Sequence, residues 1–113
     1  MNKYSFIAAA GLALILTASA FAQNGNAANG KKVFLKDGCY ECHGTVGQGG
    51  TGPRLSMPAI ALPTIMAIVR KGAGGMPPYS AKVLADSELT DIHAYLETIP
   101  APPPAKSIAL LNQ

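Results

Sequence analysis

Apolar residues recur along most of this chain at intervals of three and four, not two, so the pattern predicts helices. Between Ala27 and Asp37, Gly30, Val33 and Phe34 fall on one stripe, and Gly38 is a plausible stop. A second helix can open at Pro63, turn Ile65, Ile68 and Val69 inward, and end near Gly72. A third runs from about Asp86 to Thr98, where Leu89, Ile92, Leu96 and Ile99 make one apolar stripe. Asp86, Glu88 and Asp91 crowd its first turns, where negative charge suits the helix dipole, and Pro100 ends it. The segments between lack periodicity. Gly44 to Gly52 is Gly-rich, and Gly72-Ala73-Gly74-Gly75-Met76-Pro77-Pro78 can be neither helix nor regular strand. No run alternates as a strand would, so the chain reads as all-α.

The start of the chain has a different pattern. Asn2-Lys3-Tyr4 is a short positive stretch, Phe6 to Ala18 is apolar and uncharged, and Ala20-Phe21-Ala22 is a small-residue cleavage signal. Together they predict a secretory signal peptide over residues 1–22, and hence a periplasmic protein. The alternative is an uncleaved anchor, and only retention of that segment would bring a membrane into play. Residues 23–100 then form one domain, and the Pro-rich stretch 101–113, with Ile108, Leu110 and Leu111, forms a loose tail that could dock on a partner.

Composition adds one constraint. With no Trp, three Phe, 12 Gly and nine Pro in 113 residues, the core is thin. Domains this small bury only about 60% of their unfolded surface and often lean on a disulfide, a metal or a cofactor. Lys3 is the only charge in the leader, so its removal lowers the formal charge of +3 by one. That balance makes no case for nucleic acid. Lys31, Lys32 and Lys36 cluster locally and read first as a solvated helix face.

The two cysteines carry the chemistry. Cys39-Tyr40-Glu41-Cys42-His43 is the C-x-x-C-H signature for covalent haem attachment. On a helical turn, side chains three apart share a face. Both thiols can then reach the two vinyl groups along one side of a porphyrin, and His43 is held where a ring nitrogen can ligate iron. A disulfide, a thioredoxin-like dithiol and a zinc site compete with this reading. The dithiol needs a βαβ framework that the pattern lacks, and zinc would need further ligands, of which only His93 is obvious.

Haem iron held by His and Met is the arrangement of electron transfer, and thioether ligation raises the potential. Beyond the leader the methionines are Met57, Met66 and Met76. Met66 lies in a helical apolar run and suits core packing. Met76 stands among glycines and prolines, where Gly74-Gly75 permit close approach and Pro77-Pro78 stiffen the chain. Met76 is therefore the expected second axial ligand, with Met57 or an open position as the alternatives. His93, beside the apolar stripe of the last helix, suits a partly packed or surface role.

With these residues in hand the chain resembles the class I c-type cytochromes over nearly all of residues 23–113. Gly30 and Phe34 match the first-helix residues that cross the terminal helix in that family, and Ala94-Tyr95-Leu96 resembles the other side of the crossing. Thr51-Gly52-Pro53-Arg54-Leu55 resembles the loop whose proline carbonyl accepts a hydrogen bond from the ligating histidine. The resemblance implies that Pro53 orients His43, that Leu55 packs on the haem, and that Met76-Pro77-Pro78-Tyr79 is the axial methionine segment. It also implies a small cytochrome c fold, three to four helices wrapped around one covalent haem c on Cys39 and Cys42. One departure stands out: Ala85 replaces the Ser or Thr that often precedes the terminal helix, so either Asp86 caps or the capping box is lost.

The function implied is one-electron transfer, not catalysis on a substrate. Electrons would come from a periplasmic dehydrogenase or respiratory complex and pass to another carrier or an oxidase. More narrowly, the run from Met76 through Leu84 to Tyr95 is similar to the cytochrome subunits of periplasmic dehydrogenases of the p-cresol methylhydroxylase type. That similarity implies the alternative of a dedicated subunit in a flavin-dependent dehydrogenase complex. A haem sensor or peroxidase would instead need an open or labile sixth position.

Overall fold

Asn26 starts the first helix: its side chain accepts a hydrogen bond from the Asn29 N–H at 3.0 Å, satisfying a donor that the first turn cannot use. In this computed structural model, which describes residues 24–113, the elements are α1 (Ala27–Lys36), α2 (Cys39–His43), α3 (Leu62–Lys71) and α4 (Asp86–Glu97). The expected leader at residues 1–22 lies outside the described residues. Among those described there is no strand, only an isolated antiparallel bridge between Ala73 and Met76. The architecture is the all-α one that the apolar periodicity implies.

The crossing of α1 and α4 organises the domain. Gly30 is buried in it, and a Cβ at that position would run into the Asp91 carbonyl. One turn on, Phe34 is fully buried against Tyr95, with ring centroids 5.8 Å apart and planes tilted by 59°. The crossing is also pinned by polar groups. The Asp91 carboxylate accepts from the Asn26 N–H at 2.6 Å and from Asn29 Nδ2 at 2.7 Å. Charge-assisted bonds of this kind are shorter and stronger than neutral ones.

The core joins Val33 and Phe34 of α1, Ile65 and Val69 of α3, Leu84, and Leu89, Ile92, Tyr95 and Leu96 of α4. Ile68, expected inward with Ile65 and Val69, is 39% exposed and lines the cavity described below. A ten-residue helix can bury only part of its circumference, and Ile68 lies at the edge of the buried stripe. Pro63 sits at the second position of α3, where its missing N–H costs nothing. Gly72, at φ 74°, ends the helix with its N–H on the Ile68 carbonyl at 2.7 Å.

At the start of α4 the residue outside the helix is Ala85, with extended backbone, and Asp86 is the first helical residue, not the cap. Half of a capping box survives, because Glu88 Oε2 accepts from the Ala85 N–H at 2.9 Å. The other half needs a side-chain acceptor that alanine lacks. Ala85→Ser should therefore raise stability by about 1 kcal/mol. In thermal denaturation that is a midpoint rise of about 4–8 °C for a domain of this size. An unchanged midpoint would show that Ala85 is not the cap.

The segment after Pro100 forms two 3-10 turns, Ala105–Ser107 and Ala109–Leu111, that touch each other and none of the four helices. Asn112 Nδ2 ties them together through the carbonyls of Lys106 at 2.8 Å and Ile108 at 3.0 Å. Leu110 and Leu111 remain exposed.

A candidate haem site

The five residues of α2 bring the motif together. Gly38 enters in the left-handed region at φ 77° and Gly44 leaves at φ 78°, so a single helical turn is cut out between two chain reversals. Within it Cys39, Cys42 and His43 all line one cavity. The turn is held by the loop that follows: the Gly52 N–H donates to the Cys42 carbonyl and the Gly49 N–H to the His43 carbonyl, each at 2.8 Å. Tyr95 Oη donates to the Thr45 carbonyl at 2.8 Å and Ser56 Oγ to the Val46 carbonyl at 2.7 Å, so the loop is anchored to α4 and to itself.

This folding back puts Gly52 against the imidazole. A Cβ on Gly52 would lie 2.8 Å from His43 Cε1, so only glycine leaves the ring in place. The next residue completes the arrangement, with His43 Nδ1–H donating to the Pro53 carbonyl at 2.7 Å. With the proton fixed on Nδ1, Nε2 is left as the basic nitrogen of a buried ring.

The cavity has a volume of about 610 Å³. No Asp, Glu, Lys or Arg lines it; its walls include Phe34, Leu55, Ile65, Ile68, Leu96 and Met76. Engineered voids cost ~24 cal/mol per Å³, so a closed, empty space of this size would cost about 15 kcal/mol, an upper figure because the mouth is open. That equals the top of the range for a whole domain, about 5–15 kcal/mol. A cavity of this size with these walls fits a large apolar occupant.

Cys39 and Cys42 are not bonded to each other. Burial, then the Asp37 charge, push the Cys39 thiol up to about 11 against a backbone hydrogen bond that lowers it, so it is a neutral thiol at neutral pH. The donor set therefore fits a porphyrin attached along one edge: two thiols on one helical turn, a basic nitrogen beside them, and apolar walls. Among the described residues no group of three or more His, Cys, Asp or Glu could hold a metal ion by itself.

Of Met57, Met66 and Met76, only Met76 lines the cavity with His43. Pro53 and Leu55 line it as well. His93 does not; it is half-buried, with Nδ1 3.6 Å from Glu97 Oε2 one turn along α4. Arg70 and Tyr79 already meet each other and α4. The Arg70 guanidinium donates to the Tyr79 carbonyl at 3.0 Å and pairs with Asp86.

A family model described as cytochrome c oxidase, cbb3-type, subunit III matches residues 25–96. The chain belongs to that family. It is 30% identical over 81 residues to cytochrome c-555 of Methylococcus capsulatus, covering 65% of this chain and 66% of that protein. It is 35% identical over 74 residues to the 4-cresol dehydrogenase [hydroxylating] cytochrome c subunit of Pseudomonas putida, covering 66% of this chain and 63% of that one. The chain thus spans just under two thirds of the length of each of these relatives. No solved structure matches. Family membership makes residues 25–96 a cytochrome c domain, and the pair Cys39 and Cys42 on one helical turn is consistent with covalently attached haem c.

Neither the seating of His43 by Gly52 nor the locking of α1 to α4 by Asp91 is marked in the sequence. Glycine at position 52 carried no spacing signal of its own, and Asp91 was assigned to the helix dipole. The cap at Asn26 is likewise not among the expectations above, although an Asn directly before a helical stripe is a start signal.

Proposed function

We propose that the protein carries single electrons on a haem ligated by His43 and Met76. The observation that carries this reading is the cavity itself, into which α2 delivers His43 and the turn after α3 delivers Met76. When bound, the haem supplies reversible one-electron iron chemistry. His43 offers Nε2 because the Pro53 carbonyl holds its other nitrogen, and Leu55, which lines the cavity, would pack on the haem. Met76 offers a soft thioether that favours the reduced state. His43 and Met76 would together hold the iron with ligands from this chain alone, which favours electron transfer over peroxidase or sensor chemistry.

Residues 1–22 act as an export signal in this reading, residues 23–100 form the haem domain, and residues 101–113 are an accessory tail. The donor is a periplasmic dehydrogenase or respiratory complex, and the acceptor is another carrier or an oxidase. Similarity to the 4-cresol dehydrogenase cytochrome subunit favours a second reading, in which the chain is the dedicated subunit of a flavin-dependent dehydrogenase. Co-purification with a flavoprotein separates the two; a monomer reduced by many donors supports the free carrier.

The decisive experiment is a redox-resolved visible spectrum with pyridine haemochrome analysis on protein from the exported fraction. The expected result is one haem per chain, not extractable by acidified solvent, with a methionine–iron absorption band in the ferric state. Extractable haem would overturn the covalent attachment, and a high-spin ferric spectrum would overturn the sixth ligand.

A further inference from the structure

Met76 is held by a very short span of chain. The Met76 N–H donates to the Ala73 carbonyl at 2.9 Å, and the Ala73 N–H returns a bond to the Met76 carbonyl at 3.2 Å. That two-residue turn is built on Gly74 and Gly75, at either of which an added Cβ would meet nothing within 4 Å. On the other side stand Pro77 and Pro78, which have no N–H to donate. The first backbone donor after Met76 is therefore Tyr79.

Tyr79 is tied at three points. Its N–H donates to the Val69 carbonyl of α3 at 2.8 Å. Its carbonyl accepts from Arg70 Nη1 at 3.0 Å, and the same guanidinium pairs with Asp86 at the start of α4. Its hydroxyl donates to the Asp37 carbonyl at 3.2 Å, at the C-cap of α1 and two residues ahead of Cys39. Burial first, then the neighbouring groups of Cys39, Asp37, Cys42 and Glu41, push the phenol above its ordinary value, so it stays a donor. The two prolines fix φ on both residues between Met76 and Tyr79, so an anchor at Tyr79 is transmitted to the methionine.

We propose that Tyr79 is a positioning residue for Met76, its hydroxyl clamping the methionine turn to the segment that carries the haem-attaching cysteines. The clamp sets how readily an external ligand displaces the methionine. It spans the two sides of the cavity, which share no other side-chain hydrogen bond between the stretch Asp37–His43 and the stretch Ala73–Tyr79. This inference rests on Met76 being the sixth ligand.

The test is imidazole binding to the ferric holoprotein, followed in the visible spectrum, for the wild type, Tyr79→Phe and Met76→Ala. Removing the hydroxyl keeps the ring and should tighten imidazole binding by about two- to tenfold, the worth of one hydrogen bond. The methionine–iron band should weaken in parallel. A residue that only stabilised the fold would lower the unfolding midpoint and leave imidazole affinity where it was, and that result would overturn the clamp. Should Tyr79→Phe fail to assemble with haem, Arg70→Gln frees the Tyr79 carbonyl and is read the same way. If Met76→Ala leaves imidazole affinity and the band unchanged, the ligation reading falls and the clamp with it. If Met76→Ala opens the iron while Tyr79→Phe changes nothing, the clamp alone falls.

Discussion

Replacing Met76 with alanine is expected to lower the reduction potential by more than ~59 mV, a tenfold shift in a one-electron equilibrium. The thioether stabilises ferrous iron, and alanine offers nothing in its place. The remaining space is small and apolar, so water or an added ligand would complete the coordination. Three readouts should move together: a fall in midpoint potential, loss of the methionine–iron band, and binding of imidazole or cyanide by the ferric form. Stability should suffer less than from a core truncation, because Met76 is only half-buried and its neighbours Ala73, Gly74, Gly75, Pro77 and Pro78 are exposed. Met57 provides the internal control. It does not line the cavity, so Met57→Leu should leave all three readouts unchanged. A protein in which Met57→Leu mimicked the expected Met76→Ala behaviour would place the ligand on the wrong loop.

What could be read from the sequence follows from the range over which each signal acts. Helical stripes are local, and α1, α3 and α4 fall within a residue or two of where periodicity put them. The C-x-x-C-H motif is local too, and α2 presents its three functional side chains to one cavity. Ile68 was misassigned because a stripe says which face is apolar, not whether protein or cofactor covers it. Asp86 was a reasonable cap by residue type, yet Ala85 occupies the position because the backbone turns one residue earlier. The hydroxyl of Tyr79 meets a carbonyl 42 positions away, and that of Tyr95 a carbonyl 50 positions away. Such bonds leave no trace in a single sequence, since either tyrosine could as well be a packed ring.

The second large effect concerns stability and turns on Gly30. At an exposed helix position, glycine to alanine stabilises by about 1 kcal/mol, because alanine loses less backbone freedom on folding. Gly30→Ala should do the opposite. The added carbon would overlap the Asp91 carbonyl and approach the Ile92 nitrogen to 2.7 Å, both of them backbone atoms that cannot rotate away. Relief requires α4 to move off α1. That movement would lengthen the Asp91 bonds to Asn26 and Asn29, loosen the Phe34–Tyr95 contact, and shift Leu89, Ile92 and Leu96, which wall the cavity. Overpacking of this kind costs about 1–3 kcal/mol and more where backbone must shift. At about 4–8 °C per kcal/mol, the thermal midpoint of the holoprotein should fall by roughly 10 °C or more. A variant as stable as the parent, or more so, would mean that α1 and α4 do not meet at Gly30. Because the cavity-lining residues of α4 move with the helix, the same variant should also accumulate less holoprotein, measured as haem absorbance per chain.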